Sequence, residues 1–138
     1  MADTSIFMQV KRERAAFDLL KREYETAQKD MNYIHGPQYD RPHVSGGKHG
    51  DLSSTLEQIE NLQASYTKRL NKALTRYMGD REKAVELLDM LEDPTEKAVI
   101  EQRYIFNDSW KEIAAALGYA VPSIYKIHRR AMDHLQEL

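Results

Sequence analysis

Cysteine is absent from this chain. Disulfides and thiolate-held metal sites are therefore excluded, and a reducing cytoplasm is the expected home. Long apolar runs are missing too. None approaches the roughly 20 residues needed to cross a bilayer, and the opening MADTSIFMQVKRER lacks a signal-peptide pattern, so no membrane partner is expected. Charge of one sign is not in excess. Twenty Lys and Arg face 22 Asp and Glu, for a net charge of -2, so any contact with nucleic acid has to come from a local cationic patch. Helix breakers are few and unevenly placed: four of the six glycines and two of the four prolines lie between residues 35 and 51.

What is present is charge laced through helical periodicity. From Phe17 the apolar positions are Phe17, Leu20, Tyr24, Ala27, Met31 and Ile34. Their alternating steps of three and four put all six on one stripe of a helix. Six Lys or Arg and six Asp or Glu fill the remaining positions between Ala2 and Ile34. The pattern predicts a helical arm over residues 1–34, helical from about residue 5 to 33, with a seam narrow enough for a coiled coil. The segment HGPQYDRPHVSGGKHGD, residues 35–51, is expected to be a flexible linker, because Pro37 and Pro42 remove amide donors and Gly46-Gly47 loosens the backbone.

A second stripe reads Leu56, Ile59, Gln63, Tyr66, Leu70, Ala73, Tyr77, Arg81, Ala84, Leu88 and Leu91. It predicts a long packing helix over residues 52–92, capped at Ser54 with Glu57 closing a capping box. The unbroken phase from Tyr77 to Ala84 argues for continuity through Gly79. Two such stripes must pair with each other or with another chain, so a homo-oligomer, with a dimer favoured, is expected.

Residues 93–138 have a different texture. Asp93-Pro94 restarts a helix, with Glu96 placed to complete a capping box, and Ala98, Val99, Ile100 and Tyr104 are expected to face inward as far as about residue 104. Ser109 and Glu112 form a second box ahead of Trp110, Ile113, Ala114 and Leu117. Gly118 supplies the positive φ of a tight turn. Ile124 and Ile127 then point inward, six and nine residues on, followed by Ala131, Met132 and Leu135. The spacing is that of a helix-turn-helix. Its second helix turns Val121, Pro122, Ser123, Tyr125, Lys126, Arg129 and Arg130 outward, a cationic stripe on a segment whose residues 94–138 balance six basic against six acidic groups. Such a stripe suits the phosphates of double-stranded DNA. Ser123 and Lys126, near the helix start, are candidates for base edges. Tyr125, Arg129, Arg130 and Lys111 are candidates for backbone contacts. His128 and His134 are expected at the surface or the phosphate side.

The stretch LEDPTEKAVIEQRYIFNDSWKEIAAALGYAVPSIYKIHRRAMDHL resembles region 4 of the sigma-70 family. It is more similar to the sigma-region-4-like regulators of phages and prophages of Gram-positive bacteria, the ArpU/RinA-type late-gene activators. The likeness rests on LEDP at 91–94, on RYIFNDSWKEIAAALGY and on IYKIHRRAMDHL. It extends back to about residue 40 through YDRPHVSGG. It implies an all-α chain of helical arms followed by a C-terminal helix-turn-helix, acting as a transcriptional regulator in a bacterial host cell and contacting host RNA polymerase. Val121 and Pro122 stand where bacterial sigma factors place charged promoter-reading residues. They offer only apolar contact, for example to a thymine methyl, which points away from the ordinary sigma target. Two rival readings are a DNA-packaging adapter of the small terminase kind and a sigma-like protein-interaction module that never touches DNA.

Catalysis is not expected. SGGKHG has Pro42 where a phosphate-binding loop needs glycine, and His49 where it needs Ser or Thr. His35, His43 and His49 are irregularly spaced beside Asp40 and Asp51, which does not suggest a metal site. No nucleophile-base order is readable, so neither enzyme activity nor a cofactor is expected.

Overall fold

The computed structural model describes residues 2–35 and 49–138, with side chains at 2–32 and 54–138. The architecture is all-α, with no strand among the described residues. Helix α1 spans Ser5–His35 and α2 spans His49–Leu88; three shorter helices follow, α3 (Pro94–Ile100), α4 (Trp110–Leu117) and α5 (Val121–Gln136). The linker expected at 35–51 falls mostly outside the described residues. Because α2 already begins at His49, Ser54 lies inside the helix and is not its cap. α2 passes Gly79 without a break, in keeping with the unshifted seam on either side.

The two stripes meet each other within one chain. Gln9 Nε2 donates to Asp80 Oδ2 at 3.0 Å, the Arg14 guanidinium lies 5.5 Å from the centre of the Tyr77 ring, and Tyr24 and Tyr66 meet edge to face at 5.2 Å. Each advance along α1 is matched by a retreat along α2, so the pair is an antiparallel hairpin. At its open end the seam carries Asp80 rather than the expected Arg81, which is exposed. Glu13 sits beside Asp80 and shares Gln9 with it, Gln9 Nε2 reaching Glu13 Oε1 at 3.1 Å. Burial first, and then the neighbouring Asp80, pushes the Glu13 carboxyl above its ordinary range.

The arms are not a separate module. Phe7 and Val10, both at 0% exposure, lie ahead of the stripe that begins at Phe17 and, through Arg14, continue its steps of three and four toward the N-terminus. They pack with Tyr77, Ala84 and Leu88 of α2, and with Ile100, Tyr104, Ile105, Ala131 and Leu135 of the C-terminal part. A second cluster, Val99, Ile113, Ala114, Ile124 and Ile127, joins α3, α4 and α5. The start of α1 is thus one wall of the core on which α5 rests.

Two local devices build the C-terminal part. α3 does not continue as an α-helix to Tyr104. Residues Glu101–Ile105 form a wider π turn, in which the Phe106 amide reaches back to Glu101 O at 3.1 Å and Asp108 N to Gln102 O at 2.9 Å. The widened turn brings Tyr104 and Ile105 together into the core beside Phe7. It closes at Asn107, whose φ of +57° is tolerated by Asn better than by most residues. Asn107 Nδ2 donates to Lys11 O at 3.5 Å, and Lys11 Nζ to Arg103 O at 3.4 Å, so the turn is tied to α1.

The second device is Gly118, at φ +75° and ψ +31°, a left-handed conformation that costs a residue with a Cβ about 1–2 kcal/mol. The Gly118 and Tyr119 amides both reach the Ala114 carbonyl, at 2.9 and 3.0 Å, closing α4. Ser109 caps α4 at its other end, accepting the Glu112 amide at 3.1 Å while its hydroxyl donates to the Glu112 carboxylate.

Candidate nucleic-acid interface

α5 is two-sided. Ile124, Ile127, Ala131 and Leu135 recur at steps of three and four and are buried. On the other side Pro122, Lys126 and Arg129 are exposed, again at steps of four and three, so they share one row. Tyr125 is half exposed at 49%, while Val121 and Ser123 are half-buried at the start of the helix. Lys111 is exposed on α4. No carboxylate occurs between Glu112 and Asp133, so nothing in that stretch neutralises Lys126 or Arg129. All six expected site residues therefore reach solvent at the turn and on α5, or on α4, although Arg130 is also engaged by carboxylates.

Tyr125 is held there by an aromatic chain. Its ring meets Trp110 edge to face at 5.1 Å. Trp110 in turn meets His128 at 5.0 Å and lies 4.2 Å beneath the Arg103 guanidinium. Tyr104 Oη and His128 Nε2 are 2.7 Å apart. Burial, then the nearby Arg103 charge, pushes the His128 pKa down, while burial pushes the Tyr104 hydroxyl up. A phenol that keeps its proton beside a neutral imidazole makes Tyr104 the donor and Nε2 the acceptor. His128 thus closes an internal hydrogen bond rather than facing phosphates.

Arg130 departs from the row. Its Nε donates to Glu96 Oε1 at 2.7 Å, and its Nη2 lies 3.6 Å from Asp93 Oδ2. Four residues on, His134 Nδ1 meets the other Glu96 oxygen at 2.8 Å. Glu96 is 1% exposed, the one charged residue in the described core. It does not serve as the capping-box partner read from the sequence. Asp93 alone caps α3, accepting the Thr95 amide at 2.8 Å, and the Glu96 side chain turns inward. The hydrogen bond to Glu96, outweighing some desolvation, raises the His134 pKa. A buried carboxylate needs paired hydrogen-bonded cations, and α5 supplies them one turn apart. The signal available in the sequence was the i, i+4 pair Arg130 and His134 flanking the buried row at Ala131 and Leu135.

The group can thus present the exposed cations Lys111, Lys126 and Arg129, a hydroxyl and a fixed aromatic edge to a partner, while Arg130 clamps the presenting helix to α3. In comparisons with protein-family models, curated protein sequences and solved structures, nothing matches the chain.

Proposed function

We propose that this chain is a sequence-specific, sigma-region-4-like DNA-binding transcriptional regulator of a phage or prophage, with α4 and α5 forming a helix-turn-helix and α5 lying in the major groove. The observation that carries this reading is the row Pro122, Lys126 and Arg129, exposed opposite a buried apolar row and directly after the left-handed turn at Gly118. In this reading Ser123 and Lys126 face base edges, and Val121 and Pro122 offer apolar contact to a thymine methyl. Arg129, Tyr125 and Lys111 hold the phosphate backbone. Arg130 acts from behind, holding α5 in place through Glu96. Host RNA polymerase in the bacterial cytoplasm belongs to the same proposal and rests on the sequence resemblance alone.

The test is the salt dependence of duplex binding. Lys126→Ala combined with Arg129→Ala removes two phosphate-neutralising charges. The slope of log K against log salt should therefore fall by about 2, with the helical signal unchanged. Binding that keeps both its affinity and its slope would place the DNA contact elsewhere.

A single small domain makes few phosphate contacts, so two copies on one DNA are part of the proposal. The far half of the hairpin offers the surface for a second copy. There Leu56 and Leu62 are 49% and 39% exposed, and Met31, Ile59 and Tyr66 are only half-buried. Light scattering of the free protein should give about twice 16.1 kDa; a monomer at micromolar concentration would contradict the dimer.

A further inference from the structure

Stretches without a carboxylate are instructive in a chain with more acids than bases. The two longest are residues 113–132, which hold the α5 face, and residues 61–79 in the middle of α2. The second carries Lys68, Arg69, Lys72 and Arg76, all exposed. Lys68, Lys72 and Arg76 follow one another at four-residue steps, so they rise along one side of α2 over about 12 Å.

Their surroundings differ from those of Arg14 and Lys83 on the same hairpin. Arg14 is paired with Asp18 at 3.2 Å and Lys83 with Asp80 at 3.9 Å. Lys68 and Lys72 have no ion pair among the described residues. Arg69 lies 4.3 Å over the Tyr66 ring, a contact that orders the side chain and leaves its charge in place. Arg76 is nearest an acid, within electrostatic reach of Glu13 across the hairpin.

The seam does not require this charge. It is built from Tyr66, Leu70, Ala73 and Tyr77, which alternate with the stripe around the helix. An unneutralised row of like charges on one helix side repels itself. A polyanion relieves that repulsion. Duplex DNA presents one phosphate for every ~1.7 Å of its axis, so a 12 Å row of cations spans several of them.

We propose that the Lys68, Arg69, Lys72 and Arg76 stripe on α2 is a second DNA-contacting surface, one that grips the phosphate backbone without reading sequence. The proposal rests on the reading of the chain as a DNA-binding protein but assigns a different element. It makes the arm part of the DNA-binding apparatus as well as a scaffold.

The experiment compares two variants on one random-sequence duplex over a range of salt concentrations. Lys68→Gln, Lys72→Gln and Arg76→Gln together should lower the slope of log K against log salt by about 2–3, and weaken binding on the order of 100-fold at 0.1 M salt. Lys68→Arg with Lys72→Arg, which keeps the charge, should preserve the wild-type slope. Should the triple variant lose helicity, Lys68→Gln and Lys72→Gln taken singly carry the test, each lowering the slope by about 1. A folded triple variant with the wild-type slope overturns the proposal and leaves an acidic protein surface as the stripe's counterpart. The α5 variant Lys126→Ala/Arg129→Ala, run in parallel, separates the two readings. If it alone loses slope, the stripe assignment fails; if the triple variant alone loses slope, the stripe stands and the α5 assignment fails.

Discussion

Arg130→Ala should destabilise the protein by about 2 kcal/mol. Removing one partner of a fully buried ion pair costs about 3–5 kcal/mol, because the other charge is left uncompensated. The figure here is smaller because the Arg130 side chain is 55% exposed and His134 remains on the second Glu96 oxygen. Lys126→Ala, on the exposed row of the same helix, should change stability by less than about 0.5 kcal/mol. The Arg130 deficit should also depend on pH, because His134 becomes the only cation bonded to Glu96. Its folded pKa lies above the ordinary 6.5, so its stabilising contribution is complete below about 6.5 and is lost as pH rises through the raised value. His128 has the opposite sign, its pKa lowered by burial, and it costs stability as pH falls below 6.5. That term is common to wild type and variant and cancels in their difference. Urea midpoints at pH 5.5 and pH 9 should therefore show the larger deficit for Arg130→Ala at pH 9. A variant as stable as wild type at both values would mean that Glu96 does not depend on the clamp.

Phe7→Ala should cost more, about 3–4 kcal/mol, the range for deleting a fully buried aromatic side chain. The more informative feature is where the loss is seen. Trp110 is the only tryptophan and opens α4 with its ring against Tyr125 and His128 of α5, more than a hundred residues along the chain from Phe7. Phe7 touches the C-terminal part through Tyr104, with ring centres 5.8 Å apart. If the start of α1 is a wall of that core, the fluorescence-detected unfolding transition of Trp110 should move to markedly lower urea in Phe7→Ala. Leu19→Ala, at a position 60% exposed on the same helix, should leave it in place. A Trp110 transition unmoved by Phe7→Ala would mean that the arm and the C-terminal part unfold independently.

These two residues also mark where the sequence stops being readable. Helical periodicity exposed the stripe on each arm, because steps of three and four have few alternatives, but whether the stripes met within one chain or between copies was left open until the contacts showed the hairpin. It lost Phe7 and Val10, since Arg14 interrupts the stripe before them and only the contact with Tyr77 shows that Arg14 still lies on the seam. The turn at Gly118 and the inward isoleucines were legible for a local reason: a left-handed residue and a fixed spacing to the next buried positions are written within ten residues. Glu96 was misread because its local signal, three residues after a capping Asp, is that of a capping box. Its partners Arg130 and His134 lie more than thirty residues away, and no local pattern encodes them. The same partnership changed the site. Lys126 and Arg129 kept the exposed row that spacing predicts, whereas Arg130, adjacent in sequence, was drawn to a carboxylate that sequence order does not reveal. The π turn was invisible because the apolar spacing through Tyr104 suits an ordinary helical turn equally well, and only the packing against Phe7 distinguishes them.

In the proposed complex the exposed row of α5 meets duplex DNA while Arg130 holds that helix from behind. The most direct measurement is a residue-resolved NMR titration of the protein with a DNA duplex at moderate salt. The largest amide shifts are expected at Ser123, Tyr125, Lys126 and Arg129, with Lys111 following, and the Glu96 and His134 amides little changed. Shifts absent from α5, or centred on Glu96 and His134, would contradict it.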